Sequence, residues 1–206
     1  LEAHSKWMAE FFSTIKEEKI GLVVHDWGGM IGIAGAMKAG KKIDGLVVMN
    51  TAITAPKDGF KPTWFHNLSQ VPLISSVLFR GLNFPLSFLN HFAHVQGSFD
   101  SQTMKAYKYP FRKLKDNSGP LALARMVPNS MQHPSVPLEQ EIEAYLKSYT
   151  GPAQIVWGMN DPVMWKLRKR TSRLLPQAKV IKTQAGHFVQ EETPKEVIEA
   201  INEVLK

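Results

Sequence analysis

The sequence predicts an α/β protein, a mostly parallel sheet flanked by helices with a helical piece inserted between its strands. Three observations predict it. An aliphatic run (Ile20, Leu22, Val23, Val24) ends at a charged residue and a glycine pair and passes straight into a helix-compatible run, Met30 to Met37. Further short apolar runs at 46–49, 152–158 and 179–182 alternate with amphipathic stretches, the pattern of strands joined by crossover helices. From Phe60 to about Pro137 that alternation gives way to prolines, aromatics and short helical pieces without a convincing strand. The chain therefore divides into a main domain, residues 1–56 and 138–206, and a helical cap, residues 57–137.

Taken in order, the first segment carries Trp7, Met8, Phe11, Phe12 and Ile15 at helical spacing. The run to Val24 is the first strand. The helix after it closes at Ala39-Gly40, with glycine as the C-terminal stop. Leu46-Val47-Val48-Met49 is the next buried strand. In the cap, Trp64, Phe65, Phe79, Phe84, Phe88 and Phe92 supply a large apolar surface, mostly core, with two or three expected to line a dry substrate pocket. Residues 139–148 form an amphipathic helix returning to the main domain. The strand 152–158 and the short strand 179–182 follow, and Thr193-Pro194 opens the closing helix. Its expected inner face is Val197, Ile198, Ile201, Val204 and Leu205.

Composition narrows the function classes. With 206 residues and 44% hydrophobic content the chain can bury one core and carry an insertion. No run of about eighteen apolar residues exists, so no membrane-spanning helix and no membrane partner are expected. The polar start, Leu1-Glu2-Ala3-His4, shows no secretory leader, and a cytoplasmic protein is the expectation. Cysteine is absent, which excludes disulfides and thiolate metal sites and says little about compartment. The net charge of +7 raises the question of a nucleic-acid partner. Lys and Arg are scattered, apart from Lys166-Leu167-Arg168-Lys169-Arg170 on a helix, so they read as solvated faces. No nucleic acid is expected.

The chemistry gathers at Leu22-Val23-Val24-His25-Asp26-Trp27-Gly28-Gly29. A strand turning sharply into a helix holds the residue at its apex out on a strained bend, and that residue is Asp26. Gly28 and Gly29 let the helix pack close to the strand. The helix dipole favours a carboxylate there. Asp is also a preferred N-cap, which is the plain alternative. A cap, however, requires neither the aliphatic strand before it nor the Trp-Gly-Gly after it. Asp26 is read as a nucleophile.

These residues resemble the nucleophile elbow of the haloalkane dehalogenase family of the α/β-hydrolase fold, where the general pattern is G-x-S-x-G and Asp26 takes the apex. Epoxide hydrolases are related. The resemblance implies that Asp26 attacks a carbon bearing halogen, while the Trp27 indole N–H receives the departing halide. Trp157-Gly158-Met159-Asn160-Asp161-Pro162 resembles the family's acid loop, which makes Asp161 the triad acid. Ala185-Gly186-His187-Phe188 resembles its histidine loop, which makes His187 the base. Some dehalogenases carry the acid just after the strand 46–49; that position is Asn50 here, so the acid comes from elsewhere. Residues 71–84 resemble the cap of a dehalogenase subgroup. The second halide donor is a cap Trp in some members, for which Trp64 is the candidate, and in others an Asn from a segment before this chain.

The resemblance implies a small apolar halogenated substrate with water and halide as the other partners, and neither metal nor organic cofactor. His66, His91 and His94 in the cap lack carboxylates at ligand spacing, so a metal site is not expected. An oligomer is compatible with the sequence. Several strands and a loop giving half the oxyanion hole precede the first helix in such folds. None is present in this chain, so residues 1–206 alone are expected to be poorly soluble and inactive. Two rival activities use the same nucleophile: an epoxide hydrolase, with Tyr107 and Tyr109 as candidate acids, and a β-lactone decarboxylase. A non-catalytic binding protein or inactive fragment is the reading from another class.

Overall fold

A computed structural model of the chain describes residues 1–57, 59–61, 64–82, 95, 99–111, 113 and 116–205. Its frame is an all-parallel sheet in the order β1 (Lys19–His25), β2 (Lys42–Met49), β3 (Ala153–Gly158), β4 (Lys179–Thr183). The described helices are α1 (Glu2–Ser13), α2 (Trp27–Lys38), α3 (Trp64–Ser69), α4 (Ser101–Lys108), α5 (Ser118–Arg125), α6 (Val136–Ser148), α7 (Arg168–Leu174), α8 (Val189–Glu192) and α9 (Pro194–Val204). A π-helical turn at Ser76–Gly81 and a 3-10 turn at Trp165–Leu167 complete them.

The central strands are apolar at nearly every position because both faces of the sheet are covered. Side chains alternate across a strand, so Leu46, Val48, Ile155 and Trp157 join one core with α1, α2 and α6. Val47, Met49 and Val156 join the other, beneath α9. Each such fully buried side chain contributes about 1.5–3 kcal/mol of apolar burial. Register aligns Val24 with Val48, Val48 with Ile155 and Ile155 with Val180, which brings the carboxyl ends of the strands to one edge. In open parallel sheets that edge is where ligands are handled.

Two helices present faces other than the expected ones. In α9 the buried side is Val197, Ala200 and Val204 with Ile201 partly covered, an i, i+3, i+4, i+7 stripe. Ile198 lies about 100° round from Val197 and is 56% exposed. In α1, Phe12 is buried and Met8 packs beside it, whereas Trp7 and Phe11, a turn apart, face outward. An all-apolar count of helical spacing merges two neighbouring ridges of this helix.

Between β2 and α6 the regular elements among the described residues are all helical. Phe79 is buried with Leu121 and Ala124. Arg125 ties three pieces together: its Nε donates to the Ser69 carbonyl (2.9 Å) and its terminal nitrogen to Ser75 Oγ (2.9 Å). The Phe65 side chain, Phe84, Phe88, Phe92, His91 and His94 lie outside the described residues, and with them most of the expected pocket lining.

Candidate active site

β1 ends at His25 and α2 begins at Trp27, so Asp26 alone makes the turn. It sits at φ 48°, ψ −129°, a region that a residue with Cβ enters only under strain. The bend is pinned by its neighbours. Asp26 N–H donates to the Asn50 carbonyl (3.1 Å), and the Asp26 carbonyl accepts from Gly29 N–H (3.1 Å) and Thr51 Oγ1 (2.5 Å). The side chain makes no capping hydrogen bond. Asp26 is the N-cap by position, but its carboxylate satisfies none of the first N–H groups of α2, so a side-chain capping role does not account for it.

The two glycines differ. A Cβ on Gly29 would stand 2.1 Å from Thr51 Oγ1 and 2.9 Å from Ile53 Cγ2, so only glycine lets α2 meet the β2 exit. A Cβ on Gly28 would meet nothing within 4 Å. The close packing expected of both belongs to Gly29 alone.

Asp161 leaves the end of β3 and is 1% exposed. Its Oδ1 accepts from Val163 N–H (2.7 Å) and Met164 N–H (3.0 Å). Its Oδ2 accepts from Asn50 Nδ2 (2.8 Å) and from His187 Nδ1 (2.8 Å). Burial by itself would raise the Asp161 pKa, but the His187 hydrogen bond and charge, with hydrogen bonds from the Asn50 amide and the Met164 N–H, hold it below the ordinary range. A carboxylate only accepts, so His187 Nδ1 carries the proton and the neutral ring keeps Nε2 bare. That Nε2 stands 3.9 Å from Asp26 Oδ1. Burial would lower the His187 pKa, yet the Asp161 bond and the charges of Asp26, Asp161 and Glu192 raise it above its usual value.

Access is uneven across the three. The Asp26 side chain is 36% exposed, that of His187 7% and that of Asp161 0%. The carboxylate at the elbow can be approached, while the other two are sealed behind it. The strand ends thus bring Asp26, Asp161 and His187 together. Trp27 opens α2 half-buried against the main core. Trp64 opens α3 and is 61% exposed.

Sequence reasoning missed the organising part of Asn50. Its amide donates to the Gly158 carbonyl (3.0 Å) and accepts from Gly158 N–H (2.8 Å), besides holding Asp161. An amide residue directly after the aliphatic run Leu46 to Met49 was the available signal, since a buried amide must be satisfied. Gly158 is pressed against the histidine loop: a Cβ there would lie 2.1 Å from the Gly186 carbonyl. His66, on α3, is buried enough for its pKa to fall, with the Asp26 carboxylate acting in the opposite direction. This histidine therefore feels the charge at the elbow, and sequence reasoning weighed it only as a metal ligand. Among the described residues no group of three His, Asp or Glu side chains could hold a metal ion, and no helix is long and apolar enough to cross a membrane.

Neither candidate tyrosine is presented to Asp26 by a described bond. Tyr107 O–H donates to Glu191 Oε1 (2.9 Å) and accepts from Gln190 Nε2 (3.2 Å), and burial pushes its pKa up to about 12. Tyr109 is 64% exposed. Tyr107 instead packs with Phe99 on Phe188, next to His187, so α4 rests on the histidine loop.

The sequence profile of the alpha/beta hydrolase fold family matches residues 1–194. Haloalkane dehalogenase 1 of Mycobacterium tuberculosis is 27% identical over 199 residues, covering 95% of this chain and 64% of the relative. A cis-3-alkyl-4-alkyloxetan-2-one decarboxylase of Shewanella oneidensis is 30% identical over 188 residues, covering 88% of this chain and 58% of the relative. The chain thus spans less than two thirds of the length of either. Among solved structures, a haloalkane dehalogenase from Bradyrhizobium elkani superposes with a TM-score of 0.82 at 18% identity, covering 97% of this chain and 72% of that one. At that identity the likeness speaks for the fold.

Proposed function

The chain belongs to the alpha/beta hydrolase fold family, and from that premise we propose that it serves the hydrolysis of carbon–halogen bonds in haloalkanes through an ester on Asp26. One observation carries the reading: the strained apex bears an uncapped, approachable carboxylate where a serine would require activation, with His187 Nε2 3.9 Å away. That distance is too long for a hydrogen bond and leaves room for a water against both groups.

A carboxylate nucleophile at Asp26 needs no general base to activate it. It displaces halide in line from an sp³ carbon, forming a carbon–oxygen bond as the carbon–halogen bond breaks. The Trp27 indole N–H stabilises the leaving halide. Water then attacks the Asp26 carboxyl carbon as His187 Nε2 takes its proton, and Asp161 stabilises the imidazolium. The Trp27 backbone N–H, first in α2 and without an intrahelical acceptor, serves the tetrahedral oxyanion. Alcohol and the Asp26 carboxylate are released. Trp64 is the proposed second halide donor. At 61% exposure it would serve only where bound substrate covers its indole. Residues 57–137 act as the cap over this site.

The test is mass spectrometry of His187→Phe after incubation with 1-bromobutane. Ester formation should proceed and hydrolysis stop, leaving a butyl-sized adduct on Asp26. Steady bromide release without an adduct would sink the mechanism. The Shewanella relative supports a second reading, β-lactone decarboxylation. Attack of Asp26 on the ring carbon bearing oxygen opens the lactone to a carboxylate; loss of carbon dioxide then forms the alkene and expels Asp26. This route never hydrolyses an ester, so His187→Phe should still give alkene from a dialkyl β-lactone. The engagement of Tyr107 and the exposure of Tyr109 give the epoxide hydrolase reading no support.

A further inference from the structure

His25 ends β1 one residue before Asp26, and the reaction above gives it no task. Its imidazole Nε2 lies 2.8 Å from the backbone carbonyl oxygen of His187. A carbonyl oxygen only accepts, so His25 Nε2 carries a proton and donates it. The two rings stand 4.6 Å apart between centroids, tilted by 51°. The histidine loop is therefore held at two points drawn from two strands. Asp161, beyond β3, holds the ring of His187 through Nδ1 at 2.8 Å. His25, at the end of β1, holds the main chain from which that ring hangs. The 3.9 Å from His187 Nε2 to Asp26 Oδ1 depends on both.

We propose that His25 is a positioning residue for His187, its Nε2–H bond to the His187 carbonyl holding the base against the Asp26 ester during hydrolysis. The inference rests on the ester mechanism above, and it divides the two half-reactions. Ester formation uses the Asp26 carboxylate alone. Hydrolysis uses His187 in a defined position, where a displacement of about 1 Å can cost on the order of a hundredfold.

The groups facing His25 are His187 from the loop after β4, Asp26 at the start of α2 and Asp161 beyond β3. Burial and the neighbouring His187 ring lower the His25 pKa, although the two carboxylates and the hydrogen bond to the His187 carbonyl act the other way. The ring is thus neutral at neutral pH. Neutrality suits the task, because a cation at this distance would oppose the imidazolium that forms on His187.

The experiment compares His25→Leu, which removes the donor, with His25→Gln, whose amide N–H reaches to about the Nε2 position. His25→Asn, too short to reach, replaces the Leu variant if that one does not fold. Single-turnover reactions with 1-bromobutane follow ester formation and ester decay by mass spectrometry. Proton NMR of the free protein follows the low-field Nδ1 proton of His187. Removal of the donor should leave ester formation within roughly twofold and slow decay by roughly tenfold or more, with Gln restoring most of it. The low-field resonance should weaken in His25→Leu and persist in His25→Gln. Unchanged decay, equal slowing of both steps, or no advantage of Gln over Leu overturns the proposal. If the unaltered chain forms no ester at all, the mechanism fails first, and the NMR arm alone decides His25: an undisturbed His187 Nδ1 proton in His25→Leu overturns it.

Discussion

At the scale of the residue, Asp26 occupies a backbone conformation that glycine adopts freely and aspartate does not. Such a conformation costs on the order of 1–3 kcal/mol and is held only by its surroundings, here the bonds to Asn50, Thr51 and Gly29. The cost has a testable consequence. Asp26→Asn keeps the Cβ and the strain, whereas Asp26→Gly relieves it and loses some backbone entropy to the unfolded chain. The net gain expected for Gly over Asn is about 1 kcal/mol, a few degrees in thermal midpoint. Both variants should fail to form the ester. Equal melting of the two, followed by circular dichroism, would mean that the surroundings impose no strain at the apex. Asn50 shows the same economy of position: one amide satisfies Gly158 in both directions and steadies Asp161.

At the scale of the element, the strands were legible because burial on both faces leaves an unmistakable aliphatic run, as at Leu46 to Met49. The strained strand-to-helix bend was legible from glycine placement after Val24, although only Gly29 is sterically required. Helix faces were less so: Ile198 is as apolar as Ile201, and nothing in the residue itself says which ridge meets the sheet. A buried Glu139 on α6 was not legible at all, since a glutamate in the first turn of a helix reads as a dipole partner. It is 3% exposed, and burial pushes its pKa up to about 7 from 4.5. Between those two values the folded state holds a proton that the unfolded chain has released, so stability falls as pH rises through that window. The loss is on the order of 3 kcal/mol once complete. Glu139→Gln should therefore melt above the unaltered protein at pH above 7 and alongside it near pH 4.5. A difference that stays constant with pH would place the ionised form in water.

At the scale of the molecule, Asp161 and His187 were picked out by the resemblance of their loops to those of the family, and their convergence on Asp26 follows because parallel strands deliver their ends to one edge. How the helical segment meets that edge was not readable, because it depends on pairs distant in sequence. Glu192 is the clearest of these. Its Oε1 accepts from Gly186 N–H (3.1 Å), in the histidine loop, and its Oε2 from Val95 N–H (2.9 Å), in the inserted segment. The same carboxylate helps raise the His187 pKa, behind the larger effects of Asp161 and Asp26. One group thus bonds both the segment at Val95 and the loop of His187, and raises the His187 pKa. Glu192→Gln removes the charge while keeping the shape, so the imidazolium loses part of its stabilisation and His187 gives up its proton at lower pH. In the ester mechanism hydrolysis requires neutral His187, and its rate rises as pH climbs through that pKa. The acid limb of the hydrolysis profile should move to lower pH in Glu192→Gln, whereas ester formation, which depends on Asp26, should keep its own profile. Tyr107→Phe provides the control: it loosens the contact of α4 with Glu191 and Gln190 without altering a charge at neutral pH, and should leave the limb in place. A limb that shifts equally in both variants would assign the effect to docking of the insertion rather than to the carboxylate.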